Sequence, residues 1–303
     1  MTIAVTGAAG FIGRNLVAHL TERGDDVAPV RRPFDASVLG DLFRHVSAVV
    51  HLAGLVSAVR DRDFVAANVD ATRVVAVAAR DAGVRRLVHI SSLAAAGPAA
   101  ASAPRSESDP PSPITAYGRS KLAGERVLQE IDALQWIVLR PGIVYGPGDR
   151  ALLPLFRMAR RGFLPLVGRP AAAYTAIHVA DVVRAIAAAV DGHAAGDTIF
   201  LGHPSPVTGR AIVDGIRAAV APRASVVTVP MAVTRAAALC GEASQRVLRR
   251  PVLINASRFR ELDAEGFVCR VDRMRERLGV VAEIGLAEGL ARTGEWYREN
   301  RWL

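Results

Sequence analysis

"TIAVTGAAGFIG", residues 2–13, sets three glycines between an apolar run and an amphipathic segment. Thr2 to Thr6 reads as a buried strand, because its apolar residues run on instead of alternating. "FIGRNLVAHLTERG" reads as the helix that follows. Between the two, Gly7 permits a tight turn and Gly10 lets backbone approach a bound group. Gly13 lets the helix pack close to the strand. The first amides of such a helix favour an anion, above all a pyrophosphate. Phe11 and Ile12 open that helix and are assigned to the same binding site.

The pattern outside this stretch agrees with it. "DVAPV" reads as a second strand and Ser37 to Val46 as a helix. "SAVVHLAG", "RRLVHISS" and "WIVLRPG" read as further strands. Long helices over Phe64–Gly83 and Thr115–Ile131 and a Pro/Ser/Ala-rich loop over Gly97–Pro113 separate them. Apolar strands alternating with helices mean a parallel sheet covered on both faces, with right-handed crossovers. The expected fold is α/β, a Rossmann-type doubly wound parallel sheet. Residues 1–148 form its dinucleotide domain. Residues 149–303, where short helices mix with "TAIHV", "DTIFLG" and "SVVTVP", form a smaller C-terminal substrate-binding lobe, and some segments return to the first domain. The last helix, Leu286 to Glu299, brings Leu286, Leu290, Thr293 and Tyr297 near one face, which packs on the body of the fold.

The second strand ends "VAPVRRP". Sites for NAD commonly carry a carboxylate there to hold the adenosine ribose. Arg31 and Arg32 stand in its place, and arginine clamps a 2′-phosphate bidentately. NADP(H) is therefore favoured over NAD. Asp35 is assigned to the adenine side, although little room remains before "HLAG" for a full third strand.

Composition narrows the classes. The chain has 303 residues, 51% hydrophobic and 22% charged, and a net charge of +9. Nine arginines fall between Arg246 and Arg277, but aromatics are only 5% and do not interleave with them. A nucleic-acid partner is not expected. No apolar run spans a membrane and the N-terminus carries no leader pattern, so a cytoplasmic protein is expected. Cys240 and Cys269 form no motif, and no metal site is read.

"YGRSK", Tyr117 to Lys121, holds the only lysine; the other 37 basic residues are arginine. Four residues apart on a helix, Tyr117 and Lys121 share a face. A tyrosine near pKa 10 is a poor base at neutral pH. Lowering it by three units takes about 4 kcal/mol, which a neighbouring ammonium and a positive nicotinamide ring can supply in a dry cleft. A compact ammonium fits under the ring and reaches ribose hydroxyls, where a guanidinium is too wide. Ser91 and Ser92 end a strand at the carboxyl edge, where open α/β sheets bind ligands. A hydroxyl there can donate to a substrate carbonyl.

Together these residues resemble the extended short-chain dehydrogenase/reductases, including the NAD(P)-dependent epimerase/dehydratases. The likeness rests on "TGAAGFIG", "HLAG" at 51–54, Asn68 in "ANVDAT", "HISS", "YGRSK", "LRPGIVYGPGD" and "IHVADVV" at 177–183. It implies Ser92, Tyr117 and Lys121 as the catalytic residues. Leu52, Ala53, Gly54, Asn68, Ser91, Pro141 and Gly142 join the cofactor site, together with Tyr117 and Lys121 themselves. His178 and Asp181 match a structural helix-entry motif. A homodimer through the 64–83 and 115–131 helices is implied as well. Departures from the family pattern bear on the substrate. Ala96 stands where an aromatic often follows the serines. Ile143 replaces an asparagine, and Tyr174 an arginine, that serve sugar nucleotides. A neutral or apolar carbonyl compound is the better fit.

The expected activity is hydride transfer between nicotinamide and a carbonyl or secondary alcohol, with Tyr117 as acid/base. The alternative is a sugar-nucleotide epimerase or dehydratase working through transient oxidation. A third reading, from another class, is a non-catalytic cofactor-sensing or RNA-binding protein.

Overall fold

The computed structural model describes residues 1–250, 252 and 254–303, and the side chain of Arg246 lies outside the described residues. Strand β1 (Thr2–Thr6) runs into helix α1 (Phe11–Glu22), followed by β2 (Asp26–Val30), α2 (Ala36–Phe43) and β3 (Ala48–His51). Next come α3 (Asp61–Val65), α4 (Ala71–Asp81), β4 (Arg86–Ile90), α5 (Ala116–Gln129) and β5 (Trp136–Pro141). The remainder is more broken: β6 (Ile143–Tyr145), α6 (Leu153–Arg160), β7 (Phe163–Leu166), β8 (Ala173–Tyr174), β9 (Ala176–His178) and α7 (Val179–Asp191). It continues through β10 (Asp197–Leu201), β11 (Val207–Thr208), α8 (Gly209–Val220), β12 (Ser225–Thr228) and α9 (Met231–Leu248). The chain closes with α10 (Ala256–Asp263), β13 (Gly266–Phe267), α11 (Asp272–Leu278) and α12 (Leu286–Glu299).

Six strands form the main sheet, in the order β10-β5-β4-β3-β1-β2, every pair parallel. The expected α/β architecture is thus present. Its two faces are buried separately. Leu16 and Leu20 of α1 join the buried face of α7 on one side; Leu39 and Phe43 of α2, α4 and Leu128 of α5 cover the other. The scarcity of chain after Arg32 has its outcome here: β2 is an edge strand, and β3 crosses to the far side of β1. Strand β10, from the later half, returns to pair with β5. Helix α12 packs on α8 and buries Leu290, Thr293 and Tyr297, as its spacing predicts.

The single long helix expected from Phe64 to Gly83 is interrupted. Ala66–Asp70 forms one π-helical turn between α3 and α4, with the Ala71 amide reaching back to the Ala66 carbonyl. Such turns redirect a side chain, here Asn68. Helix α5 approaches this turn closely: a Cβ on Gly124 would stand 2.3 Å from the Asn68 carbonyl oxygen.

Candidate active site

The glycine turn is built as a cradle. Gly7 has φ +71°, and a Cβ there would stand 2.9 Å from the Ala53 amide nitrogen. A Cβ on Gly13 would meet the Gly7 carbonyl at 2.2 Å, so α1 sits directly on the turn. Gly10 caps α1 without any side chain, leaving the first amides open. Thr6 ties the cradle to the next strand end: its Oγ1 accepts from the Ala53 amide at 3.2 Å and lies 2.8 Å from His51 Nδ1. A cavity of about 770 Å³ opens over this turn, with Gly7, Arg31, Arg32, Ala53 and Gly54 in its wall. Its size and the exposed amides suit a dinucleotide.

Not every expected cofactor residue faces that cavity. Asp35 instead caps α2, accepting from the Ser37 amide at 2.9 Å and the Val38 amide at 3.1 Å. Asn68 spends its amide on structure. Its Oδ1 accepts from the Leu55 amide (2.8 Å), and its Nδ2 donates to the Leu55 carbonyl (3.0 Å) and Ser120 Oγ (2.9 Å). It therefore fixes the loop after β3. Ser91 Oγ donates to Glu125, whose carboxylate holds Arg140 through Nε at 2.9 Å and Nη2 at 2.5 Å. All three are buried. Arg14 lines the cavity, but its Nη1 donates to the Ala9 carbonyl at 2.9 Å.

His178 caps α7 through Nδ1, and Asp181 pairs with Arg184, the structural roles expected of them.

Ser92, Tyr117, Pro141 and Gly142 meet in a second cavity, a cleft of about 320 Å³. Thr115 caps α5 with a 3.1 Å bond from the Gly118 amide and so presents Tyr117 in the first turn. Gly118 lets this turn press against β4's extension, where a Cβ would stand 2.4 Å from the Ala94 carbonyl. One turn on, Lys121 is buried and its Nζ donates to the Ile90 carbonyl at 2.6 Å. Burial pushes this ammonium down to about 8, against the pull of Glu125. A Cβ on Gly54 would lie 3.7 Å from Lys121 Nζ, so the ammonium borders the dinucleotide cavity.

Burial pushes the Tyr117 phenol above its ordinary range, with the Ser92 hydroxyl pulling the other way.

The cleft wall is mostly apolar. Leu155 enters from α6 and Leu152 from its N-cap, Ile212 and Val213 from α8, Leu166 from β7 and Phe267 from β13. Ile143 and Tyr174 also line it. Arg258 and Glu261 of α10 complete the wall. Sequence reasoning missed these two, since no spacing joins them to "YGRSK" more than a hundred residues earlier.

The pattern of the NAD dependent epimerase/dehydratase family matches residues 3–202. The chain belongs to that family. It is 30% identical to ceramide reductase of Caulobacter vibrioides, across 99% of this chain and 96% of that protein. A farnesyl dihydroquinoline-oxide ketoreductase of Stigmatella aurantiaca is 28% identical across 96% and 95%. Among solved structures, MoeE5 in complex with UDP-glucuronic acid and NAD superposes with a TM-score of 0.79 and 28% identity, covering 99% of this chain and all of that one. The protein is an NAD(P)-dependent oxidoreductase of the extended short-chain type, which sets aside the non-catalytic reading. Among the described residues no helix is long and apolar enough to cross a membrane.

Proposed function

We propose that the protein reduces a ketone on a largely apolar small molecule, with NADPH as the preferred reductant. The observation that carries this reading is the cleft itself: the Tyr117 phenol and Ser92 hydroxyl belong to a cavity walled by leucine, isoleucine, valine, proline and phenylalanine. The bound nicotinamide would supply the hydride. Ser92 donates a hydrogen bond to the ketone oxygen, and Tyr117 delivers a proton to it. A phenol held above its usual range keeps that proton at neutral pH, which suits an acid and hence the reductive direction. Lys121, anchored on Ile90, borders the cavity where the ribose would lie and fixes α5 against β4. Pro141 and Gly142 form the cleft wall beside Ser92 and Tyr117, the place for the nicotinamide. Arg31 and Arg32 support NADPH. Both are exposed on the dinucleotide cavity; among the described residues Arg31 has no ion pair, and Arg32 Nη2 donates to the Ala67 carbonyl at 3.2 Å.

A sugar nucleotide is the weaker reading. Its pyrophosphate needs cations, and the cleft offers Arg258, already paired with Glu261. The two relatives with apolar substrates in their names favour the same choice. We also propose a cytoplasmic homodimer through the helices within 64–83 and 115–131, as the family resemblance implies. Replacing Tyr117 by Phe tests the reading: ketone reduction falls by about 10²–10⁴ while NADPH affinity holds. Equal rates in the two proteins would remove Tyr117 from the reaction.

A further inference from the structure

The apolar lining of the cleft is broken at Glu261. Arg258 Nη1 donates to Glu261 Oε2 at 2.9 Å, and these are the charged side chains in the cleft wall. The pair is asymmetric: the Arg258 side chain is 55% exposed and the Glu261 side chain 22%. The carboxylate is thus the more enclosed partner. Its Oε1 has no hydrogen-bond donor among the described residues. That oxygen keeps an accepting lone pair open to the cleft, where a donor on a bound molecule can take the place of water. Tyr117 and Tyr174 both feel the Glu261 charge, which places it near the proton donor.

Helix α10 is tied at both ends by hydrogen bonds. Asn255 Oδ1 caps it through the Arg258 amide at 3.0 Å, and Arg169 Nη2 donates to Asp263 Oδ1 at 3.1 Å at its other end. Glu261 is therefore presented on a fixed element, a requirement for a recognition group.

We propose that Glu261, steadied by Arg258, is a specificity residue that accepts a hydrogen bond from a hydroxyl or N–H group carried beside the ketone of the substrate. The proposal rests on the reductase reading and narrows its substrate class. The substrate is an amphiphilic ketone with a neutral or cationic donor near the carbonyl, its apolar chain lying against Leu152, Leu155, Ile212 and Val213. An anionic head group is disfavoured by the carboxylate.

The test uses the full chain with NADPH and two probes, 1-hydroxydodecan-2-one and dodecan-2-one. They share a tail and differ in one donor. Initial rates give kcat and KM, and calorimetry gives affinity. The wild type should favour the hydroxyketone about tenfold in kcat/KM and in affinity. Glu261→Leu should abolish that preference by raising KM for the hydroxyketone far more than for dodecan-2-one. Glu261→Gln, which keeps the shape and an acceptor, should retain part of it; this milder variant decides the matter if Glu261→Leu does not fold. Equal treatment of the probes by the wild type, or a preference that survives both variants, overturns the proposal. Failure of both probes to bind overturns it too. Preferential binding of the hydroxyketone without NADPH consumption upholds the Glu261 subsite and sinks the reductase reading instead.

Discussion

Lys121 Nζ lies 2.6 Å from the Ile90 carbonyl oxygen, so the only lysine of the chain spends a hydrogen bond on the strand that leads to Ser92. This bond links the helix carrying Tyr117 to the strand end carrying Ser92. Two hydroxyls that must act on one oxygen are thereby held in register. A guanidinium cannot substitute, because its donors lie in a rigid plane and the pocket is closed around an ammonium.

Lys121→Arg should therefore lower kcat/KM for ketone reduction by roughly a hundredfold, as misplacement of a catalytic group does. Steady-state rates against Lys121→Met measure it. Rescue by arginine would show that charge alone matters at this position.

Reduction should weaken in alkali. The ammonium is pushed down to about 8 from its ordinary 10.5, so kcat/KM should fall as pH rises past about 8. Stability moves the opposite way. Between about 8 and 10.5 the unfolded chain keeps the proton that the folded chain has lost, so this group makes folding more favourable as pH rises through that window. A pH–rate profile and urea melts over the same range read the two effects separately.

Arg31→Ala should raise KM for NADPH by about tenfold or more and leave KM for NADH nearly unchanged, the loss of one charge-assisted phosphate contact. Cofactor titrations at fixed ketone decide it. A parallel change for both cofactors would move Arg31 away from any 2′-phosphate.

Glu125→Leu should cost roughly 3 kcal/mol in urea unfolding, because it strands the buried Arg140 guanidinium. The pair is nearly sealed, with side-chain exposures of 7% and 2% for Arg140 and Glu125. The same variant frees Ser91, and a simple loss of stability without a change in KM for NADPH fits the structural role given to that serine.

The sheet was legible because each of its buried strands is a short apolar run bounded by turn residues, and "TIAVT" to "WIVLRP" all lie where their pattern puts them. The site was legible where chemistry is local: the glycine turn, and Tyr117 with Lys121 one helical turn on. It was illegible where side chains are claimed by distant partners. Asn68 and Ser91 look like ligand contacts in the sequence, yet the loop after β3 and Glu125 take their hydrogen bonds. Asp35, assigned to the adenine side, also caps α2 through Oδ1, a role its place in the sequence did not announce. The π turn at Ala66–Asp70 carries no spacing signal, and Glu261 joins the cleft only through tertiary packing.

The central claim is that Tyr117 and Ser92 steer a hydride from nicotinamide to a ketone carbon in an apolar cleft. Incubating the protein with NADPH deuterated at both C4 positions and 1-hydroxydodecan-2-one, followed by mass spectrometry of the product diol, tests it most directly. The account predicts one deuterium on the new carbinol carbon, and none above background in Tyr117→Phe. A product lacking deuterium there, or unreacted ketone beside fully intact NADPH, would contradict it.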